Sequence, residues 1–485
     1  MSSAAPGRLA SEGSGIAWAL LRKELLEHLA GHRVVIGALF CLLLSALSAF
    51  VRIDDIRHSH HERQQFLQRW VPSVEEQLER DENIQIENTR AVSSMSVFSI
   101  GLEPTVPFRF LSTKEGLRYG ETRAARNTLD ALFGHVDFAF VIGTLLSLFA
   151  VILTFDSICG ERADGTLALL LSYPLRRITV VFAKVGAAVI VLLLCVVPSL
   201  ALVLLLMSGF GIRIMSAKHV LLFVISALLY VTFFAIVGVV ISARFRRRTD
   251  AALAAVLVWV VFVFAMPRAV SVAVNGLRSP SRAVELALRQ DEMESRLKVE
   301  YARRQRELFR EYVRGGGGSG VSQSLDDFRR QLATANDEMR RRRRAALLRI
   351  WEESDREEQA RQRAVFTFTF FSPTAVFNQI AAELSWTGYA QRDHFYRESR
   401  AYDDNYGRRL AESREIFFAA TGDGFGKALV TRANVRPYMT PFKPTWIQSG
   451  VIVRSVAFPI AALAALDVLL AVAAVVTLQR LDVRV

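Results

Sequence analysis

Few residues in this chain have both the type and the spacing to do chemistry. His58, His60, His61 and Glu62 form a cluster whose imidazoles and carboxylate could ligate copper or zinc, and they would equally suit a solvated helix start. Asp467 lies near the middle of an apolar block at 451–478, where an ionised carboxylate is costly unless paired or wet. It reads as part of a polar pathway, a subunit interface, or a residue that fixes helix packing. Cys41, Cys159 and Cys195 lie in or beside apolar blocks and give no disulfide framework. There is no G-x-x-x-x-G-K-[ST] phosphate loop, HExxH, G-x-S-x-G or C-x-x-C. The chain is therefore expected not to be an enzyme and to bind no cofactor of its own.

The densest motif is a short polar loop between two apolar blocks. It contains Gly160, Glu161, Arg162, Asp164, Gly165, Thr166, Leu167, Ala168, Leu170, Leu171, Pro174 and Arg177, with Lys184 beyond. Gly165 and Pro174 bound a short amphipathic helix. Such an element can dock in a cleft of another protein and pass force to both attached helices. Upstream, Trp18, Leu21, Leu25 and Leu29 are spaced for one face of a helix that also carries Arg22, Lys23 and Glu24.

These groups must be held by a membrane framework. Of 485 residues, 52% are hydrophobic and 22% charged, and the apolar ones gather into six blocks: 34–51, 138–155, 185–207, 220–241, 251–266 and 451–478. Each is near the roughly 20 residues that cross a bilayer. The fifth could run on past Pro267. Residues 1–33 lack a signal-peptide pattern, so the first block reads as an uncleaved anchor. The net charge of +13 points to topology and anionic headgroups before nucleic acid, which is not expected as a partner. With a cytoplasmic N-terminus, the short inner segments 1–33, 156–184, 242–250 and 479–485 carry 4, 4, 4 and 2 Lys/Arg. The short outer loop 208–219 carries only Arg213 and Lys218. Both termini are then cytoplasmic, and the long segments 52–137 and 267–450 lie outside.

The outer segments read as mainly helical. Segment 52–137 starts with a polar helix over 58–87 and turns irregular around Gly101, Pro104 and Pro107. Segment 281–364 reads as a coiled-coil hairpin, because apolar residues recur at alternating spacings of four and three on both sides of the glycine-rich turn 315–320. The five arginines at 340–344 read as a solvated face balanced by Glu352, Glu353, Asp355, Glu357 and Glu358. The aromatic stretch 366–395 is expected to pack on the membrane-proximal ends of the hairpin. The predicted fold class is an all-α polytopic membrane protein of six transmembrane helices, with an N-terminal interfacial helix and a helical outer domain.

The loop resembles the coupling region of ABC-2 type transporter permeases, close to GERE-x-GTLE-x-LL-x-x-P-x-x-R…GK. Asp164, Ala168 and Ala183 depart from that pattern. The stretch around Arg22-Lys23-Glu24-Leu25 is similar to the family's elbow helix. Gly101-Leu102-Glu103 with Pro107, Leu129-Asp130 through Val136-Asp137, Phe371-Ser372-Pro373 and Trp386-Thr387-Gly388 resemble a subgroup with large outer inserts, similar to gliding-motility and multicopper-maturation permeases. The resemblance implies an exporter subunit of a bacterial inner membrane. It also implies a separate ATPase, carrying ATP and magnesium, docked on loop 156–184, and a second permease chain in a homodimer or heterodimer. A periplasmic or cell-surface partner would suit the outer segments. Two other readings fit the same layout: mechanotransmission to an outer partner with no cargo crossing the bilayer, and a scaffold or sensor built on the hairpin.

Overall fold

A computed structural model describes residues 6–79, 85–113, 116–120, 136–172, 176–275, 282–315, 321–419 and 440–480. Six helices among them are long and apolar enough to cross a membrane, so the chain is an all-α polytopic membrane protein. Helix α1 (Pro6–Ala30) precedes α2 (His32–Glu79). The predicted outer helix at 58–87 is the uninterrupted continuation of the first span, ending at Glu79. A three-stranded antiparallel sheet follows, in the order β1 (Gln85–Thr89), β2 (Arg109–Thr113), β3 (Gly116–Tyr119). Its register pairs Asn88 with Phe110 and Phe110 with Tyr119.

The second span, α3 (Phe138–Ala163), enters through a π-helical turn at Val141–Leu146 and ends in the short segment Cys159–Ala163. The loop helix is α4 (Thr166–Ser172), followed by α5 (Arg177–Gly209) and α6 (Ala217–Arg244). The fifth span, α7, comprises Arg248–Val260, a π-helical turn Val261–Ala265 and Met266–Asn275, so it does run on past Pro267. The last span is α12 (Ser449–Gln479).

Between these two spans stand the hairpin arms α8 (Arg282–Gly315) and α9 (Val321–Thr369), then α10 (Pro373–Leu384) and α11 (Tyr389–Ala419). The arms run antiparallel and roughly 50 and 75 Å long at helical rise. Tyr301 donates to Asn336, and the rings of Tyr312 and Phe328 lie 4.9 Å apart. Residues 316–320 of the predicted turn lie outside the described residues. The arginine run is neutralised from elsewhere than expected. Arg342 pairs with Glu300 and Glu338, Arg343 with Glu294, and Arg344 with Asp404. Asp355, Glu357 and Glu358 pair instead with Arg400, Arg289 and Arg392.

The aromatic stretch does not simply cap the hairpin. Its helix α10 inserts beside α6, with Phe377 stacked on Tyr230 at 4.7 Å. At its N-terminal end Thr374 meets Tyr230, in the middle of α6, and donates to the Phe262 carbonyl of α7. At its other end the Leu384 carbonyl meets His219, at the start of α6. Twelve residues rise about 18 Å, which matches the His219–Tyr230 separation along α6. The chain therefore dips to mid-span depth and climbs back. Val376, Phe377, Ile380, Ala381 and Leu384 all bury in the main core. A second apolar core, outside the spans, joins Phe110, Leu117 and Tyr119 of the sheet to Leu286, Trp351, Phe395 and Tyr396 of the hairpin base and α11.

Candidate functional site: the loop between the second and third spans

The loop is part of the helical core. At the end of α3 the backbone amides of Ile158 and Cys159 donate to Ser242 Oγ of α6, at 2.9 and 3.0 Å. This gives two otherwise orphaned amides a partner from another span. Gly165 takes φ +74° in the turn before α4, a left-handed conformation that side chains resist, and open space surrounds it. Leu167 is buried and Leu170 half-buried against the main core. Thr166 Oγ1 donates to the Glu161 carbonyl at 3.3 Å. Arg177 donates to the Leu478 and Gln479 carbonyls at 2.6 Å each, capping the last span. Pro174 lies outside the described residues, as does the side chain of Leu171.

Three charged residues from three elements meet at the centre. Lys184, only 2% exposed on α5, donates to Glu24 of α1 at 2.7 Å and to Glu161 of α3 at 2.9 Å. Glu24 is itself buried. Lys23 stands 3.8 Å from Glu161 on the exposed side. An ammonium buried this deeply is retained because two carboxylates neutralise it and fill its donor positions. The triad thus fixes the N-terminal helix, the third span and the loop to one another.

Arg248, from the arginine cluster before the fifth span, donates to the Gly160 carbonyl at 3.3 Å and pairs with Asp164. Arg33 pairs with Asp156 at 3.3 Å. An open cleft of about 550 Å³ lies beside these groups, lined in part by Glu27, His28, Asp156 and Asp164. Burial lowers the His28 imidazole pKa, against the opposing charge of Glu24. One residue faces outward: Leu169 is 64% exposed on α4. Arg162 Nη2, by contrast, is buried without a hydrogen-bond partner among the described residues.

On α1 the predicted apolar face is split. Leu21 and Leu25 lean on the protein core, Leu21 lying over Gly186 of α5, while Trp18 and Leu29 are exposed with Arg22. The buried stripe runs through Leu20 and Glu24 instead, one step round the helix.

The outer motifs build a separate junction. Gly101 sits at φ +50° so tightly that a Cβ would lie 2.7 Å from the Ala382 and Thr387 side chains. Leu102 N donates to the Thr387 carbonyl at 2.8 Å, and Thr387 Oγ1 to the Ser99 carbonyl at 2.9 Å. Asp137 caps α3 by accepting from Phe140 N, and also accepts from Ile100 N. Glu103 pairs with Arg52 at 3.2 Å. Glu383 accepts from Tyr389 N at 2.8 Å and fills the space over Gly388. Leu129 and Asp130 lie outside the described residues.

The remaining candidates do not converge. His58 pairs with Glu62, His61 bonds Gln65, and no group of three metal-ligating side chains forms among the described residues. Successive helical positions turn by 100°, which points His58 and His60 to opposite sides of α2. Asp467 is buried on the stripe of α12 that includes Ile452, Val456, Leu463, Ala474 and Leu478. It therefore faces the protomer's own helices, and both carboxylate oxygens lack a hydrogen-bond partner among the described residues.

Sequence reasoning missed Leu169, Ser242 and Arg248. Leu169 was hidden inside an apolar run, where only the phase of α4 separates it from buried Leu167 and Leu170. Arg248 was visible only as part of a charge cluster that also reports topology.

Six spans, an N-terminal helix clamped by a buried ion triad and an ordered loop helix between spans define a multi-pass helical membrane protein. Residues 18–391 match the family described as ABC-2 family transporter protein, and the chain belongs to that family. No curated protein matches it. Membership makes it a membrane component of an ABC transporter rather than the catalytic one, and such components work with an ATPase.

Proposed function

We propose that this chain is the permease subunit of an exporter whose separate ATPase seats on loop 156–184. The Glu24–Lys184–Glu161 triad carries the reading, because it supplies a stiff path from that loop to the third span and the N-terminal helix. Nucleotide closure in the ATPase would push the exposed face of α4 around Leu169. Asp164, Gly165 and Thr166 form the turn that meets it. Motion then passes through α3 and α5. This needs a coupling of only a few kcal/mol between nucleotide state and span packing. A second permease chain, most simply a copy of this one, completes the pathway. The loop and both termini are read as cytoplasmic, in a bacterial inner membrane with the long inserts outside, and the lysine and arginine distribution supports that orientation.

The test is hydrolysis by the co-purified ATPase in Leu169→Asp and Glu161→Ala variants that still insert in the membrane. Permease-stimulated turnover should fall several-fold in both. Wild-type hydrolysis and transport in both variants would refute the docking assignment.

One observation favours mechanotransmission as the second reading. The longer hairpin arm, α9, ends at Thr369, only a few residues before α10 begins at Pro373 among the spans. Movement of α10 would swing the arm, with or without cargo crossing the bilayer.

A further inference from the structure

A cavity of about 630 Å³ opens on the insert side of the molecule, where α2 leaves the apolar stretch 34–51 and meets the turn after α5. Arg57, His60, His61 and Arg213 line it together with apolar residues that include Phe210 and Trp446, and the lining contains no Asp or Glu. Neither arginine pairs with a carboxylate among the described residues. Of the nearby acids on α2, Asp55 pairs with Arg52 at 2.6 Å and Glu62 with His58, while Asp54 is exposed and does not line the cavity. Arg57 stands six residues beyond the apolar stretch, about 9 Å along the helix, which is headgroup depth.

The cavity also continues onto the lipid-facing surface. The Arg57 guanidinium lies 5.3 Å from the centre of the Phe210 ring, and that ring meets Phe50 edge-on at 6.2 Å. Phe50 and Leu47 are exposed on the same apolar flank of α2. A cationic pocket at headgroup depth, running into an uncovered apolar stripe, matches one kind of molecule in charge and in shape.

We propose that this cavity binds an anionic phospholipid from the leaflet on the insert side. The phosphate sits between Arg57 and Arg213, and an acyl chain lies over Phe210, Phe50 and Leu47. A neutral phospholipid has the chain without the net charge. Free phosphate has the charge without the chain. The site is independent of the loop that meets the ATPase, so it stands or falls separately.

The full-length chain, purified in neutral detergent, would be titrated with phosphatidylglycerol, phosphatidylcholine and inorganic phosphate. Bound lipid would be read by native mass spectrometry and stability by thermal melting. Phosphatidylglycerol should bind about tenfold or more tightly than phosphatidylcholine, since each arginine near the headgroups contributes to anionic lipid attraction. Arg57→Ala/Arg213→Ala should lose that preference and its most tightly held lipid. Arg57→Lys/Arg213→Lys should keep most of it, and Arg246→Ala, on the other side of the membrane, should leave it intact. Equal binding of the two lipids, or an undiminished preference in the double alanine variant, would overturn the proposal. A melting shift with phosphate alone as large as that with phosphatidylglycerol would overturn the lipid assignment.

Discussion

The residues that hold the loop end of this molecule together are few and charged. Lys184→Met leaves Glu24 and Glu161 without the cation between them, one carboxylate buried and the other nearly so, and removal of one partner from a buried pair costs about 3–5 kcal/mol. The melting temperature in detergent should fall by several degrees, and Glu24→Gln added to Lys184→Met should recover part of the loss. All three residues belong to stretches that stand out in the sequence. Their meeting does not, because Lys184 is 160 residues from Glu24 and no periodicity spans that gap. A second charged residue sets a pH dependence. Burial pushes the Asp403 carboxyl from 3.8 up to about 7, with Asp404 adding to the rise and Ser112 and Arg344 opposing it. Within that window the folded chain keeps a proton that the unfolded chain has released. This part of the stability is complete below the lower value, drains as the pH rises, and is gone above the upper one. Asp403→Asn should flatten that decline and raise the melting temperature at about pH 8 by a few degrees, as a melting series across pH will show.

At the scale of elements, legibility followed length and apolar content. The six spans announce themselves because about 20 apolar residues in a row have few other uses. The sheet was not foreseen, since its strands are only four or five residues long and Gln85–Thr89 offers a single large apolar side chain. Helix α10 was foreseen as a punctuated aromatic stretch but misplaced. Its 12 residues are too few to span, and only its neighbours reveal that it enters the membrane region. The hairpin was legible through its spacing, whereas the partners of its arginines depend on how the arms register. Span packing turns on a contact that no sequence pattern marks. A Cβ on Gly238 of α6 would collide with Thr154 of α3, whose hydroxyl donates to the Ala150 carbonyl at 2.9 Å. Gly238→Ala must push the two spans apart, at about 1–3 kcal/mol for overpacking a close contact. Melting should show that loss, and Gly238→Ala/Thr154→Ala should restore some of it because alanine lacks the hydroxyl oxygen that the new Cβ would strike.

Over the whole molecule, the buried apolar residues form two cores, the main core of the spans and the second core at the hairpin base. Beyond that base the arms pair with each other among the described residues, as in Glu300 with Arg342 and Tyr301 with Asn336. Replacing residues 299–339 with a short glycine–serine turn removes those pairs but spares Glu294 with Arg343 and the apolar cluster around Trp351. The shortened chain should therefore melt within about 3 °C of the full one, because the burial that sets the melting temperature is retained. Function then separates the two proposed outputs. If cargo moves between the spans, the shortened permease should keep both stimulated ATP hydrolysis and export. If the hairpin delivers the work, hydrolysis should persist while the outer effect disappears, since α4 and the triad lie at the opposite end from the deletion. Loss of hydrolysis along with export would contradict both, because it would make the distal arms part of the energy-coupling path from which every described contact separates them.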